Sequence, residues 1–239
     1  MTLGTRVAVL KDGELMQVDT PQMLFDAPDN LFVATFIGSP AMNLAEAKLV
    51  KDQGPALVFA DYKVPVPDSL IASRQGLDQF FDKPLILGLR PSSLEDAAFA
   101  PEDWPRIKGE VAVTEELGSE VNVIFHVAAP PVHHEIMIAR FDKAAKDEVE
   151  AEDLAAAGQS LWTARVNPKT QARVGRSIDL AVDVGGFHFF DKDTGRAIGR
   201  VAEGEGARDR REALDVAHAD SSGNGESRTG STEVGPDSA

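Results

Sequence analysis

The sequence predicts a mainly β protein: a small barrel or sandwich, preceded by a short α/β opening and followed by a disordered tail. Three observations carry this. Residues 38–200 hold about ten short β-prone runs, divided by turn clusters rich in Gly and Pro. Residues 1–37 hold a hairpin signal followed by two capped helices. Residues 202–239 are rich in Ser and Gly, and the stretches 221–225 and 227–232 have no large apolar residue. Such a segment cannot bury enough surface to offset its ordering entropy.

The elements follow in chain order. Val7–Leu10 and Leu15–Val18 read as strands. Asp12-Gly13 between them marks a tight turn, because such hairpins need positive φ and Gly supplies it without strain. Thr20 can cap a helix with Pro21 in its first position, where a missing N–H costs nothing. That helix carries Met23 and Leu24 and stops near Pro28. Asn30 can cap a second helix, Leu31–Ile37, which Gly38 ends. Apolar residues surround nearly all of it, so it should be buried on several sides. The predicted strands are Ala47–Val50, Ala56–Phe59, Tyr62–Val66, Leu85–Leu89, Gly109–Thr114, Val121–Val127, Glu135–Ala139, Leu161–Val166, Ile178–Val182 and Phe187–Phe190. Asp68–Phe81 reads as one inserted helix. Lys143–Ala157, charged and alanine-rich, reads as a helix or an ordered loop.

Bulk composition limits the partners. Acids outnumber bases 39 to 24, a formal net charge of −15. Nucleic acid and anionic membrane both call for basic patches, so neither is expected as a direct partner. The absence of cysteine excludes disulfides and thiolate metal sites. No apolar run approaches the roughly 18–20 residues that span a bilayer.

No constellation of catalytic residues stands out. No Gly-rich loop ends in Gly-Lys-Ser/Thr, the pattern whose amides and lysine neutralise phosphate charge. Gly185-Gly186 lies between two strand-like runs and reads as a turn. His133-His134-Glu135 does not read as a metal site, since adjacent side chains on a strand point to opposite faces. Glu102-Asp103 and Glu115-Glu116 read as solvated turns.

One stretch carries a resemblance. Phe32-Val33-Ala34-Thr35-Phe36-Ile37-Gly38-Ser39-Pro40-Ala41-Met42-Asn43 resembles the hinge between the nucleotide-binding and regulatory domains of sugar-importing ABC ATPases, the maltose-importer type. The likeness continues through Arg6-Val7-Ala8-Val9-Leu10, Gly13, Gln17-Val18, Thr20-Pro21 and Gly88-Leu89-Arg90-Pro91. Gly109-Glu110-Val111 and Glu116-Leu117-Gly118-Ser119-Glu120 are similar to that family's central hairpin. Ala164-Arg165-Val166, Gly175, Phe189-Phe190-Asp191 and Thr194-Gly195-Arg196 are similar to its closing strands. The family commonly has Glu, then His or Asp, where this chain has Ser92-Ser93.

The resemblance implies three regions. Residues 1–37 would be the C-terminal remnant of a nucleotide-binding domain. Residues 38–201 would be a TOBE/MOP-like regulatory domain of oligonucleotide-binding-fold (OB-fold) type, and 202–239 the tail. It makes Gly38, Ser39, Pro40, Met42, Asn43, Arg90, Pro91, Glu116 and Gly118 the hinge and regulatory positions. It makes Phe190 and Asp191 candidate contacts between two copies. The expected role is regulation and dimerisation of an importer's ATP-binding subunit, with no catalytic, cofactor or metal residue in this chain. ATP and Mg²⁺ belong to the full-length family. Expected partners are a second copy, a separately encoded nucleotide-binding half and, through it, membrane permease subunits. The location would be cytoplasmic, peripheral to the inner face of the membrane. Met1-Thr2-Leu3 resembles an interior stretch of the longer ATPases, so a split-gene product, a gene remnant and a misplaced start are all open. A free-standing MOP-like sensor of small oxyanions is the alternative function.

Overall fold

A computed structural model describes residues 5–137 and 158–199. The predicted element at Lys143–Ala157, the end of the predicted strand at Glu135–Ala139 and the tail lie outside the described residues.

The fold is mainly β. A hairpin opens it, β1 (Val7–Lys11) and β2 (Glu14–Asp19). Asp12 and Gly13 take φ of 51° and 88°, the doubly left-handed turn that suits the twist of a two-residue hairpin. Helix α1 (Pro21–Asp26) begins where Thr20 Oγ1 accepts the Met23 amide, with Pro21 in its first turn. Helix α2 (Leu31–Phe36) begins where Asn30 Oδ1 accepts the Val33 amide at 3.0 Å. Both caps are local in sequence, which is why both were legible there.

Two five-stranded antiparallel sheets follow. The first, in the order β12-β6-β3-β4-β5, uses β3 (Asn43–Lys51), β4 (Pro55–Phe59), β5 (Tyr62–Pro65), β6 (Pro84–Leu89) and β12 (Phe187–Asp191). The second, in the order β10-β9-β8-β11-β7, uses β7 (Leu94–Asp96), β8 (Arg106–Glu116), β9 (Val121–Val127), β10 (Ser160–Val166) and β11 (Ser177–Val182). Their inner faces share one core. Leu49, Leu57, Leu85, Leu87 and Phe189 come from the first sheet, and Val111, Val123, Phe125, Ala164 and Leu180 from the second. Phe59 of β4 stacks on Trp162 of β10 with centroids 5.6 Å apart, so an aromatic pair joins the two sheets.

The outer face of the first sheet is also apolar, around Met42, Ile86 and Phe190. Leu31 and Ala34 of α2 cover it. A second small cluster joins the hairpin to the helices through Val9, Leu24, Phe32 and Val33. Burial of α2 is therefore nearly complete, but Phe36 stays 66% exposed.

Two predicted elements are corrected. Asp68–Phe81 is not one helix: α3 spans Asp68–Ser73, and a 3₁₀ turn spans Leu77–Phe80. Gly76, at φ 82°, breaks the run between them. Glu135–Met137 is a 3₁₀ turn rather than the start of a strand. His134 shapes it, its Nδ1 accepting the Ile136 amide and its carbonyl accepting the Met137 amide. The short strand β7 had no signal in the sequence. It forms because β11 offers it a ladder from Leu94 to Asp96.

Candidate functional site

The chain passes from α2 into the barrel through Gly38–Asn43, and most of the sequence-predicted site residues gather there. Arg90, just past the end of β6, is the centre. It is 2% exposed. Its Nη1 donates to the carbonyls of Ala34, at 3.0 Å, and Ile37, at the C-terminal end of α2. Its Nη2 donates to the Phe25 carbonyl of α1 at 2.7 Å. Carbonyls at a helix end lack partners within the helix, and a cation there also suits the helix dipole. The guanidinium carbon lies 4.1 Å from the centroid of the Phe25 ring, within cation–π range. Burial pulls the Arg90 pKa down to about 10, against an upward pull from Asp26, so the group remains charged at neutral pH.

The neighbouring positions serve the same joint. Gly38 has φ 125°, and a Cβ there would sit 3.0 Å from Arg90 Nη1. Pro40 follows through a cis peptide bond. The Ser39 carbonyl accepts from Arg165 of β10 at 2.9 Å. Asn43 donates from Nδ2 to the Thr163 carbonyl and accepts the Thr163 amide on Oδ1, both at 2.8 Å. Its side-chain amide thus acts as one more strand residue along the outer edge of β10. Met42 packs over Gly88, where a Cβ would lie 2.4 Å from its sulfur and 2.9 Å from the Phe190 ring. Gly88 is the gap that lets the joint close onto the sheet. Pro91 is buried and opens the 3₁₀ turn Pro91–Ser93.

The remaining candidates lie apart. Glu116 ends β8, and Gly118, at φ 85°, turns the chain into β9. Glu120 of that turn pairs with Arg165 Nε at 3.2 Å. Phe190 is fully buried against Leu31 and Ile86. It therefore presents no surface to a second copy, and that candidate contact is corrected to a core residue. Asp191 is half-buried. Burial raises its pKa, but hydrogen bonds from Thr194 and Asp193 and the charge of His134 outweigh that and lower it.

A group without a sequence signal surrounds a cleft beside the joint. His188 of β12 stands opposite Gly88 in the ladder, two residues from Arg90 and on the same face. Burial, then the charges of Arg90 and Arg74, push its pKa down to about 3, so it is neutral at pH 7. Arg74 donates to the Phe187 carbonyl at 3.3 Å. The cleft, lined also by Asp26, Pro28 and Ile198, offers about 20 Å³, room for one water molecule rather than an oxyanion. Phe25, Arg74 and His188 were missed because their partners lie far away in sequence; Phe25 and Arg90 are 65 positions apart. No group of three or more His, Cys, Asp or Glu able to hold a metal occurs among the described residues. None of their helices is long and apolar enough to cross a membrane.

Comparison with known proteins agrees with this architecture. Residues 38–94 match the model of the MalK OB fold domain. The trehalose import ATP-binding protein SugC of Mycobacterium tuberculosis is 36% identical over 202 residues, 82% of this chain and 47% of that protein. The osmoprotective compounds uptake ATP-binding protein GgtA of Synechocystis is 33% identical over 201 residues, covering 83% and 46%. The trehalose/maltose import ATP-binding protein MalK of Thermococcus litoralis is 30% identical over 203 residues, covering 83% and 45%. The chain thus spans just under half the length of these relatives. Residues 38–94 match a MalK-type OB fold, and over about four-fifths of its length the chain is similar to ATP-binding proteins of sugar import.

Proposed function

We propose that this chain is the regulatory and dimerisation portion of the ATP-binding subunit of an ABC importer for sugars, without an ATP site of its own. The observation that carries this is a relationship to sugar-import ATP-binding proteins joined to an open sheet edge. β1 pairs only with β2 among the described residues. Among the described residues, the outer edges of the two five-stranded sheets are protected. β12 is covered by the Arg196 carbonyl, which accepts the Asp191 amide, and by the Ile198 amide, which donates to the Phe189 carbonyl; β10 is covered by Asn43, and β5 and β7 are short. Leu10 on β1 is 59% exposed, and Phe36 at the end of α2 is 66% exposed. A nucleotide-binding half, on the same longer polypeptide or a separate one, would add its strand along β1 and cover both. Permease subunits would be reached through that half, and two copies would meet through the barrel near Asp191. The sugar is chosen elsewhere in such an assembly.

The purified chain is expected neither to bind nor to hydrolyse MgATP, and to have twice the chain mass by light scattering. Magnesium-dependent hydrolysis that survives stringent purification would overturn the first part. A monomer at tens of micromolar would overturn the second. The oxyanion-sensor alternative gains no support from a cleft with room for one water.

A further inference from the structure

We infer that Arg90 is a clamp that makes the first 37 residues and the barrel one cooperative body, so that Gly38–Asn43 transmits displacement rather than absorbing it. The inference stands independently of the transport reading. Its basis is that one side chain from the barrel satisfies backbone groups of both helices. Phe25 belongs to α1, whereas Ala34 and Ile37 belong to the end of α2. A flexible connection would leave these contacts exchangeable with water. Here the guanidinium is buried beneath the helices, and swinging them away would give up its three carbonyl acceptors and expose the apolar face formed by Met42, Ile86 and Phe190 to water.

Independent contacts restrain the same movement. The Leu31 amide donates to the Gly195 carbonyl, and the Ala197 amide to the Asp29 carbonyl, both at 2.9 Å. Lys11 of the hairpin donates to the Glu135 carbonyl at 3.1 Å. Asn43 and Ser39 tie the connection to β10 on the other sheet. These bonds hold the segment in place at single points. Arg90 is distinct because it is the one of them that bonds α1 and α2 at once and charges their shared end. A fork of planar donors is needed for that, and lysine lacks one.

The test uses the full chain, which has no cysteine. A single Glu14→Cys, at the exposed first position of β2, takes a fluorescent label on the hairpin. Both tryptophans, Trp104 and Trp162, report on the barrel. In urea, label and tryptophan signals of the otherwise unchanged chain are expected to share one midpoint. In R90M, the label midpoint should fall below the tryptophan midpoint, and in R90K it should fall by less. F25L keeps Arg90 and removes only the ring beneath it; a smaller separation of the same sign is expected, and this variant decides the matter should R90M fail to fold. Coincident midpoints in R90M and F25L would overturn the inference. So would separate midpoints in the chain with Arg90 and Phe25 intact.

Discussion

His188 faces Arg74 from α3's end, Arg90 from β6 and, across the cleft, Asp26 from α1. Its neutral form is the one the fold accepts. The unfolded chain protonates it near its ordinary value of about 6.5, whereas the folded chain holds it unprotonated down to about 3. Between those limits the unfolded state binds more protons, so stability falls as pH is lowered, with a slope that approaches about 1.4 kcal/mol per pH unit. H188Q should remove this part of the acid sensitivity. Urea midpoints of the two proteins at pH 7 and pH 4 would measure it, and parallel losses in both would show that His188 contributes nothing to it.

At the scale of elements, the sequence divides the chain at Gly38, as if residues 1–37 were a separable piece. The contacts predict otherwise. Deletion would uncover Met42, Ile86 and Phe190 and strip Arg90 of its three carbonyl acceptors. Apolar surface returned to water costs about 25 cal/mol per Å², and Arg90 would exchange its carbonyl acceptors for water. The shortened chain should therefore unfold at markedly lower urea and bind a dye that reports exposed apolar surface. An unchanged midpoint would mean that the barrel's outer face tolerates water. α2 shows the same mutual dependence in the other direction. Its propensity and cap start it, but six residues are too few for a helix stable in isolation, and packing on the sheet maintains it.

For the molecule as a whole, two of the exposed apolar side chains lie in the first 37 residues, one of them on β1, which pairs only with β2 among the described residues. Phe36 stacks on Phe32 yet leaves most of its ring in water, and Leu10 lies on β1. Such a combination favours association with other chains. Replacing both, as L10K with F36S, should reduce concentration-dependent aggregation without lowering the thermal midpoint, because neither side chain is buried. Static light scattering over a concentration series would check this. Equal aggregation in the double variant would place the sticky surface elsewhere. The substitution should also weaken any complex with a nucleotide-binding half.

Much of this fold was legible in the sequence because its signals are local. Asp12-Gly13 dictates a hairpin turn, Thr20-Pro21 and Asn30 start helices, and alternating β-prone runs place nine of the ten barrel strands near their observed positions. The tenth, β7, depends on β11, whose sequence lies some 80 residues further on. The joint was legible only as a set of family positions, Gly38 to Asn43 and Arg90. Nothing in those residues said that Arg90 would reach Phe25, Ala34 and Ile37, or that Asn43 would extend β10. Phe190 shows the limit most clearly: β propensity put it on a strand, but which face met the helices was settled by register and by α2. Sequence alone therefore determined the class of fold, its order of elements and its family likeness, since turns, caps and alternation act over a few residues. Tertiary structure decided the clamp, the neutral histidine and the unpaired edge of β1 among the described residues, since each depends on which distant backbone groups are brought close enough to exclude water.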